Sequence, residues 1–155
     1  MAHGGREDSS ENDLFFVCSV IEHIGRSTKN KRGDVVASLG ETEISRLLEL
    51  ADVLHCEPIE ATSVDLIERC GLGEGCFDNV SSCKYSVPTF FDIAKVYKRL
   101  VVDLAAAQNI TLPSALIKVY TSWISEKIDD YNSSMYFENP QYLYASFSAG
   151  EAIAD

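Results

Sequence analysis

Apolar side chains recur every three or four residues along most of this chain, and turn residues divide the recurrence into segments. Leu14, Val17, Cys18, Ile21 and Ile24 form one stripe, the spacing of a helix face. Phe15, Phe16 and Val20 widen the stripe until the segment is apolar nearly all round. That pattern predicts a helix from an Asn12 or Asp13 cap to about Gly25, buried in the middle of a bundle. A short helix with Val35, Val36 and Leu39 follows, ended by Gly40. The next helix, 42–55, turns Ile44, Leu47, Leu48, Ala51 and Leu54 inward and Glu43, Glu49 and Asp52 outward. A fourth opens at Pro58 and stops at Gly71, with Leu66 and Ile67 inside and Glu60, Asp65 and Glu68 outside.

Between Gly71 and Pro88 the periodicity is lost, and a long irregular insertion is expected there. Helical spacing resumes over 89–107, where Phe90, Ile93, Ala94, Tyr97, Val101 and Leu104 share a face. Thr111 and Pro113 then start a helix predicted to run to about Tyr131. A last helical piece follows Asn139-Pro140 and carries Tyr142, Leu143, Tyr144 and Phe147. The expected fold is all-α: one helical-bundle domain of six to seven helices over residues 12–150, after a disordered polar segment 1–11. A length of 155 residues with 46% hydrophobic side chains suits one domain with a real core.

Charge changes the picture more than composition does. The net charge is −11, and residues 41–78 hold ten carboxylates against Arg46 and Arg69 alone. Such a balance argues against direct nucleic-acid binding, which needs clustered cations on phosphates. The exception is Arg26, Lys29, Lys31 and Arg32, a run without a carboxylate. The longest nearly apolar run, Leu14 to Ile21, is too short for a bilayer span, and the polar N-terminus does not read as a signal peptide. Five cysteines, an odd count, read as reduced thiols in a cytoplasmic protein.

Candidate chemistry is thin. Cys70, Cys76 and Cys83, with Cys56 or His55 nearby, suggest zinc by residue type, but five and six residues separate the thiols, wider than zinc hooks use. Cys76 or Cys83 paired with His55 or His23 is the only conceivable thiol–imidazole couple. Gly71-Leu72-Gly73-Glu74-Gly75 puts a carboxylate where a phosphate loop needs a lysine. Phe137-Glu138-Asn139-Pro140-Gln141-Tyr142 matches an Asn-Pro-x-Tyr turn but reads more simply as an Asn cap with Pro at the first helical position. Glu126, Asp129 and Asp130 crowd a helix C-terminus, where the helix dipole disfavours negative charge. No metal or cofactor is expected.

Two stretches carry a resemblance: Ile21-Glu22-His23-Ile24-Gly25-Arg26 with Thr28-Lys29-Asn30, and Tyr120-Thr121-Ser122-Trp123-Ile124-Ser125-Glu126-Lys127-Ile128-Asp129-Asp130-Tyr131-Asn132. With Ala51 to Cys56 and Asp92 to Leu100, they make residues 13–150 resemble a family of small bacterial proteins. Such proteins occur in Firmicutes gene clusters beside ADP-ribosyltransferase-like toxins. The resemblance implies a partner or neutraliser of such a toxin and brings no catalytic residue with it.

The function expected on these grounds is a non-catalytic cytoplasmic protein-binding module, an inhibitor or antitoxin-like partner of a basic protein. Its docking residues would be Glu43, Glu49, Asp52, Glu60, Asp65 and Glu68, with Glu126, Asp129 and Asp130 as orienting charges and Tyr142 as an aromatic anchor. An acidic mimic of nucleic acid, inhibiting a nuclease or DNA-binding protein, is the alternative. A small enzyme is a third, and it would require a pocket in which Glu126, Asp129 or a loop cysteine is strongly perturbed.

Overall fold

The computed structural model describes residues 2–153, and the side chains of 9–153. Seven α-helices and one 3-10 turn build the domain: α1 (Ala2–Thr28), α2 (Arg32–Leu54), α3 (Ile59–Cys70), α4 (Phe90–Gln108), α5 (Leu112–Tyr120), α6 (Trp123–Asp129), the 3-10 turn Met135–Phe137, and α7 (Pro140–Ala149). No strand occurs among the described residues. Helix α1 is the centre: it packs on α2, α3 and α4, while α5 bridges α4 and α2 and α7 leans on α4. Leu14, Val17, Cys18, Val20, Ile21 and Ile24 are wholly buried, as expected of a helix that is apolar nearly all round.

α1 starts earlier than the Asn12–Asp13 cap predicted for it. The helix runs from Ala2, and Glu11 pairs across to Lys98 of α4 at 3.5 Å. Within the segment 1–11, Met1 and the side chains up to residue 8 lie outside the described residues.

The two helices expected on either side of Gly40 are present as the halves of α2. Gly40 interrupts them with φ 76° and ψ 169°, a backbone conformation natural to glycine and costly for any residue with a Cβ. The α3 stop at Gly71 is a left-handed cap, as the Gly at that position implies. α4 opens with a complete capping box between Thr89 and Asp92. α7 opens with the Asn139 side chain accepting from the Gln141 N–H at 2.8 Å, beside Pro140. The Asn-Pro pair is therefore a helix cap.

The helix expected from Thr111 to Tyr131 is instead two helices. Thr121 Oγ1 donates to the Ile117 carbonyl at 2.6 Å and Ser122 Oγ to the Val119 carbonyl at 2.7 Å. Two adjacent hydroxyls thus take carbonyls at the end of α5, and the chain passes through an extended Ser122 before α6 begins. This break sets the direction of α6 and with it the position of Asp129.

The irregular stretch 71–88 is held down at several points. Gly75 N–H donates to the Thr28 carbonyl and Phe77 N–H to the Lys29 carbonyl, both at 2.8 Å. Asn132 clasps its far end, accepting from Lys84 N–H at 2.7 Å and donating to the Ser82 carbonyl at 3.0 Å. The insertion is thereby pinned over the α1–α2 turn and over the segment following α6.

Candidate functional site

One ion-pair cluster joins the acidic residues of α2 to those of α3. Arg69 of α3 grips both carboxylate oxygens of Glu43 on α2, at 2.9 and 3.1 Å, and reaches Asp65 at 3.3 Å. Arg46 closes on the same Glu43. Burial works to raise the Glu43 carboxyl, but the two guanidiniums prevail and hold it below the usual carboxylate range. Both arginines of the acidic block are thus consumed internally. Glu49, Asp52, Glu57 and Glu68 remain exposed, and Glu60 is exposed too, 3.9 Å from His23. Three apolar side chains of the same two helices are exposed as well: Leu50 at 38%, Val53 at 67% and Val64 at 54%. Exposed apolar side chains together with carboxylates are what docking surfaces use.

On the side of the molecule formed by α5, α6 and the start of α2 there is a cleft of about 740 Å³. Its walls include Lys31, Phe77, Tyr120, Trp123 and Glu126, and the buried Asp129 also lines it. Beneath it runs a buried polar network. Arg32 Nε donates to Glu22 Oε1 at 3.1 Å, and both side chains are fully buried. Tyr120 donates to the other Glu22 oxygen at 3.1 Å. Arg32 Nη2 donates to Asn79 Oδ1 at 3.2 Å, and Asn79 in turn donates to the Asp129 carbonyl at 2.9 Å. Tyr97, stacked on Tyr120 with ring centroids 3.8 Å apart, donates to Asp129 Oδ1 at 2.7 Å. Ser125 Oγ sits 2.8 Å from the same Tyr97 hydroxyl.

This network gathers one buried cation and two buried carboxyl groups. Burial pushes the Glu22 carboxyl up, against the pull of Arg32. Burial, and then the Glu22 charge, push Asp129 up to about 7, with Arg32, Tyr97 and Ser125 pulling the other way. Asp129 therefore changes protonation near neutral pH, the property a proton donor or acceptor needs. Trp123 Nε1, on the cleft wall, is a buried donor without a protein partner.

Known protein families, characterised proteins and solved structures yield no match to this chain.

The residues expected to form a docking site divide into three groups. Glu49, Asp52, Glu60 and Glu68 are solvent-exposed, but Glu49 stands beside Leu112 and Pro113, Asp52 beside Asp13 and Phe15, and Glu60 beside His23. Glu43 and Asp65 are tied to arginines. Glu126, Asp129 and Asp130 belong to the other side of the molecule. Asp129 is 3% exposed and cannot meet a partner protein; the break at Thr121–Ser122 turns it inward. Glu126 pairs with Lys31 at 3.7 Å, and Asp130 accepts from Asn132 N–H at 3.0 Å. Tyr142 is half-buried against the core with its hydroxyl on the Ile153 carbonyl at 3.1 Å, so it acts as packing. Of the late aromatics only Phe137 stands out, at 66% exposure.

The basic run 26–32 offers no free cation patch. Arg26 donates to the Pro88 carbonyl at 2.6 Å and lies against Tyr131, Arg32 is buried, and Lys29 and Lys31 each face a carboxylate. Among the described residues no group of three or more His, Cys, Asp or Glu side chains is gathered to hold a metal ion. His23 bonds to Ser63 Oγ at 2.9 Å and His55 Nδ1 donates to the Ala51 carbonyl at 3.0 Å, so neither ring bonds a loop thiol. Sequence reasoning missed Glu22, Arg32, Asn79 and Tyr97 as network members. The available signal was Glu22 itself, a carboxylate set within the mostly apolar stretch from Leu14 to Ile24.

Proposed function

We propose that this protein is a non-catalytic binding module that docks the α2–α3 surface against a basic protein. The observation that carries the reading is that α2, α3 and the turn between them expose Leu50, Val53 and Val64 together with Glu49, Asp52, Glu57 and Glu68, while Arg46 and Arg69 are both engaged by Glu43. Carboxylates would steer a cationic surface into contact, and the apolar side chains would supply residence time. In the gene neighbourhood implied by the sequence resemblance, the partner is an ADP-ribosyltransferase-like toxin whose substrate cleft is covered. Mimicry of nucleic acid is less well supported, because Arg69 neutralises Glu43 and Asp65 within the carboxylate series. The test is capture of partners from the native host with the intact protein and with a Glu49→Lys/Glu68→Lys variant, washed at low and high salt. A basic protein retained by the parent, released by salt and lost with the variant supports docking. Equal retention by both proteins would sink it.

A second reading rests on Asp129. A buried carboxyl group, pushed up to about 7 and lining a 740 Å³ cleft, suits a small-molecule site with acid–base chemistry. Trp123 is the sole tryptophan and stands on the cleft wall, so its fluorescence reports occupancy. A metabolite library that leaves that emission unchanged would remove this reading.

A further inference from the structure

A separate groove of about 490 Å³ opens between α1, the end of α2, the start of α3 and α4. Phe15, Phe16, Ile59 and Phe91 form its apolar walls, and Asp13 and Asp52 face into it. Phe91 is 45% exposed, with its ring 5.9 Å from Phe15 and 4.3 Å from Phe90, so an aromatic shelf lies open beside the two carboxyl groups. Asp52 is also one of the exposed carboxylates of the docking surface proposed above, so the groove shares that residue with it.

We propose that this groove is the anchor pocket of that docking surface and receives one arginine side chain of the basic partner. The inference rests on the docking reading and adds the chemistry of the contact. Two carboxyl groups together present the acceptors that a planar guanidinium fork bonds in parallel, and an aromatic shelf offers a face on which the same plane stacks. Lysine, a point charge with a strongly held hydration shell, gains less from either feature. The remaining apolar wall of Phe16 and Ile59 accommodates a leucine-sized neighbour of the arginine.

The like charges themselves favour this occupant. Burial, and then the proximity of Asp52, raise the Asp13 carboxyl, while His55 pulls it down. A cation seated beside the two carboxyl groups would relieve that repulsion.

The experiment uses a short capped peptide, alanine and leucine around a central arginine, and the same peptide with citrulline, which keeps the shape and loses the charge. Amide chemical shifts of the full chain are followed during titration. The expected result is movement confined to Asp13, Phe16, Asp52 and Phe91, with the citrulline peptide about tenfold weaker or worse. Asp13→Asn/Asp52→Asn should erase the preference for arginine; removing two like charges favours folding, and amide dispersion confirms the fold. Equal binding of the two peptides, movement elsewhere, or no movement would overturn the proposal. The two readings separate in the host capture experiment. Loss of the partner with Glu49→Lys/Glu68→Lys but full retention with Asp13→Asn/Asp52→Asn leaves the docking surface standing and removes the arginine pocket. Loss of the partner with both variants supports the pocket.

Discussion

Arg32 Nε donates to Glu22 Oε1 at 3.1 Å with both side chains fully withdrawn from solvent, joining α1 to the first residue of α2. Neither charge could be buried alone. Their burial is offset by Tyr120 on the second Glu22 oxygen and by Asn30 and Asn79 accepting from the guanidinium at 3.0 and 3.2 Å.

The first prediction follows from that pairing. Glu22→Gln or Arg32→Met should destabilise the fold by about 3–5 kcal/mol, because each leaves an uncompensated buried charge. The double substitution Glu22→Gln/Arg32→Met should cost less than the two single ones summed. Urea unfolding followed by helical circular dichroism gives all three values. Additive losses would mean that the two groups do not act as a pair.

Asp129 makes stability depend on pH. Its folded value of about 7 lies above the ordinary 3.8, so the folded state binds this proton more tightly than the unfolded state does. Stability from this group is therefore greatest at the acid side and declines as pH rises from about 4 to about 7, by up to ~4 kcal/mol. Glu43, Asp78 and Asp92 are shifted the other way and lose their contribution below the ordinary carboxylate range. Asp129 therefore favours mild acid, where His23, held below its ordinary value by burial, works against it by losing stability as pH falls. Asp129→Asn should flatten the decline while keeping the Tyr97 hydroxyl bonded. Melts from about pH 4 to about 8, which span the Asp129 transition, decide the matter.

The bundle itself was legible because its signals are local. The stripe from Leu14 to Ile24, the Gly71 stop and the Thr89 and Asn139 caps each depend on neighbours in sequence. Gly40 as a divider of two helical pieces was legible for the same reason. The split at Thr121–Ser122 was not, since hydroxyls that compete for backbone carbonyls also occur within unbroken helices. The buried network was hidden by distance: Glu22 meets Tyr120 across 98 residues and Arg32 meets Asn79 across 47. No periodicity encodes such pairings. Asp129 was visible as an oddity at a helix end, but its burial depends on where the α5–α6 break aims it.

Gly25 provides a test of how tightly that network is packed. A Cβ there would run into the Arg32 side chain. Helix propensity alone favours Gly25→Ala by about 1 kcal/mol, yet the substitution should destabilise by about 1–3 kcal/mol because the guanidinium cannot shift without leaving Glu22. Gly25→Ala combined with Arg32→Ala should recover the propensity gain relative to Arg32→Ala alone. A Gly25→Ala protein as stable as the parent would show that Arg32 has room to move.

The cysteines offer a graded probe of the same interior. Cys56 and Cys76 are exposed, Cys70 and Cys83 are half-buried, and Cys18 is buried in the centre of α1. Burial pushes the Cys18 thiol far up, so it is neither accessible nor ionised in the folded state. Burial, and then the nearby Glu43 charge, also raise Cys70. An aromatic disulfide reagent at pH 8 should therefore modify Cys56 and Cys76 first, Cys83 and Cys70 more slowly, and Cys18 only through unfolding. The Cys18 rate should follow global stability, so Arg32→Met should accelerate it in proportion to its measured destabilisation while leaving Cys56 and Cys76 unchanged. Mass mapping of the modified peptides over time checks the order. Rapid labelling of Cys18 in the native protein would mean that α1 leaves the core without global unfolding, and the central position assigned to it would then be wrong.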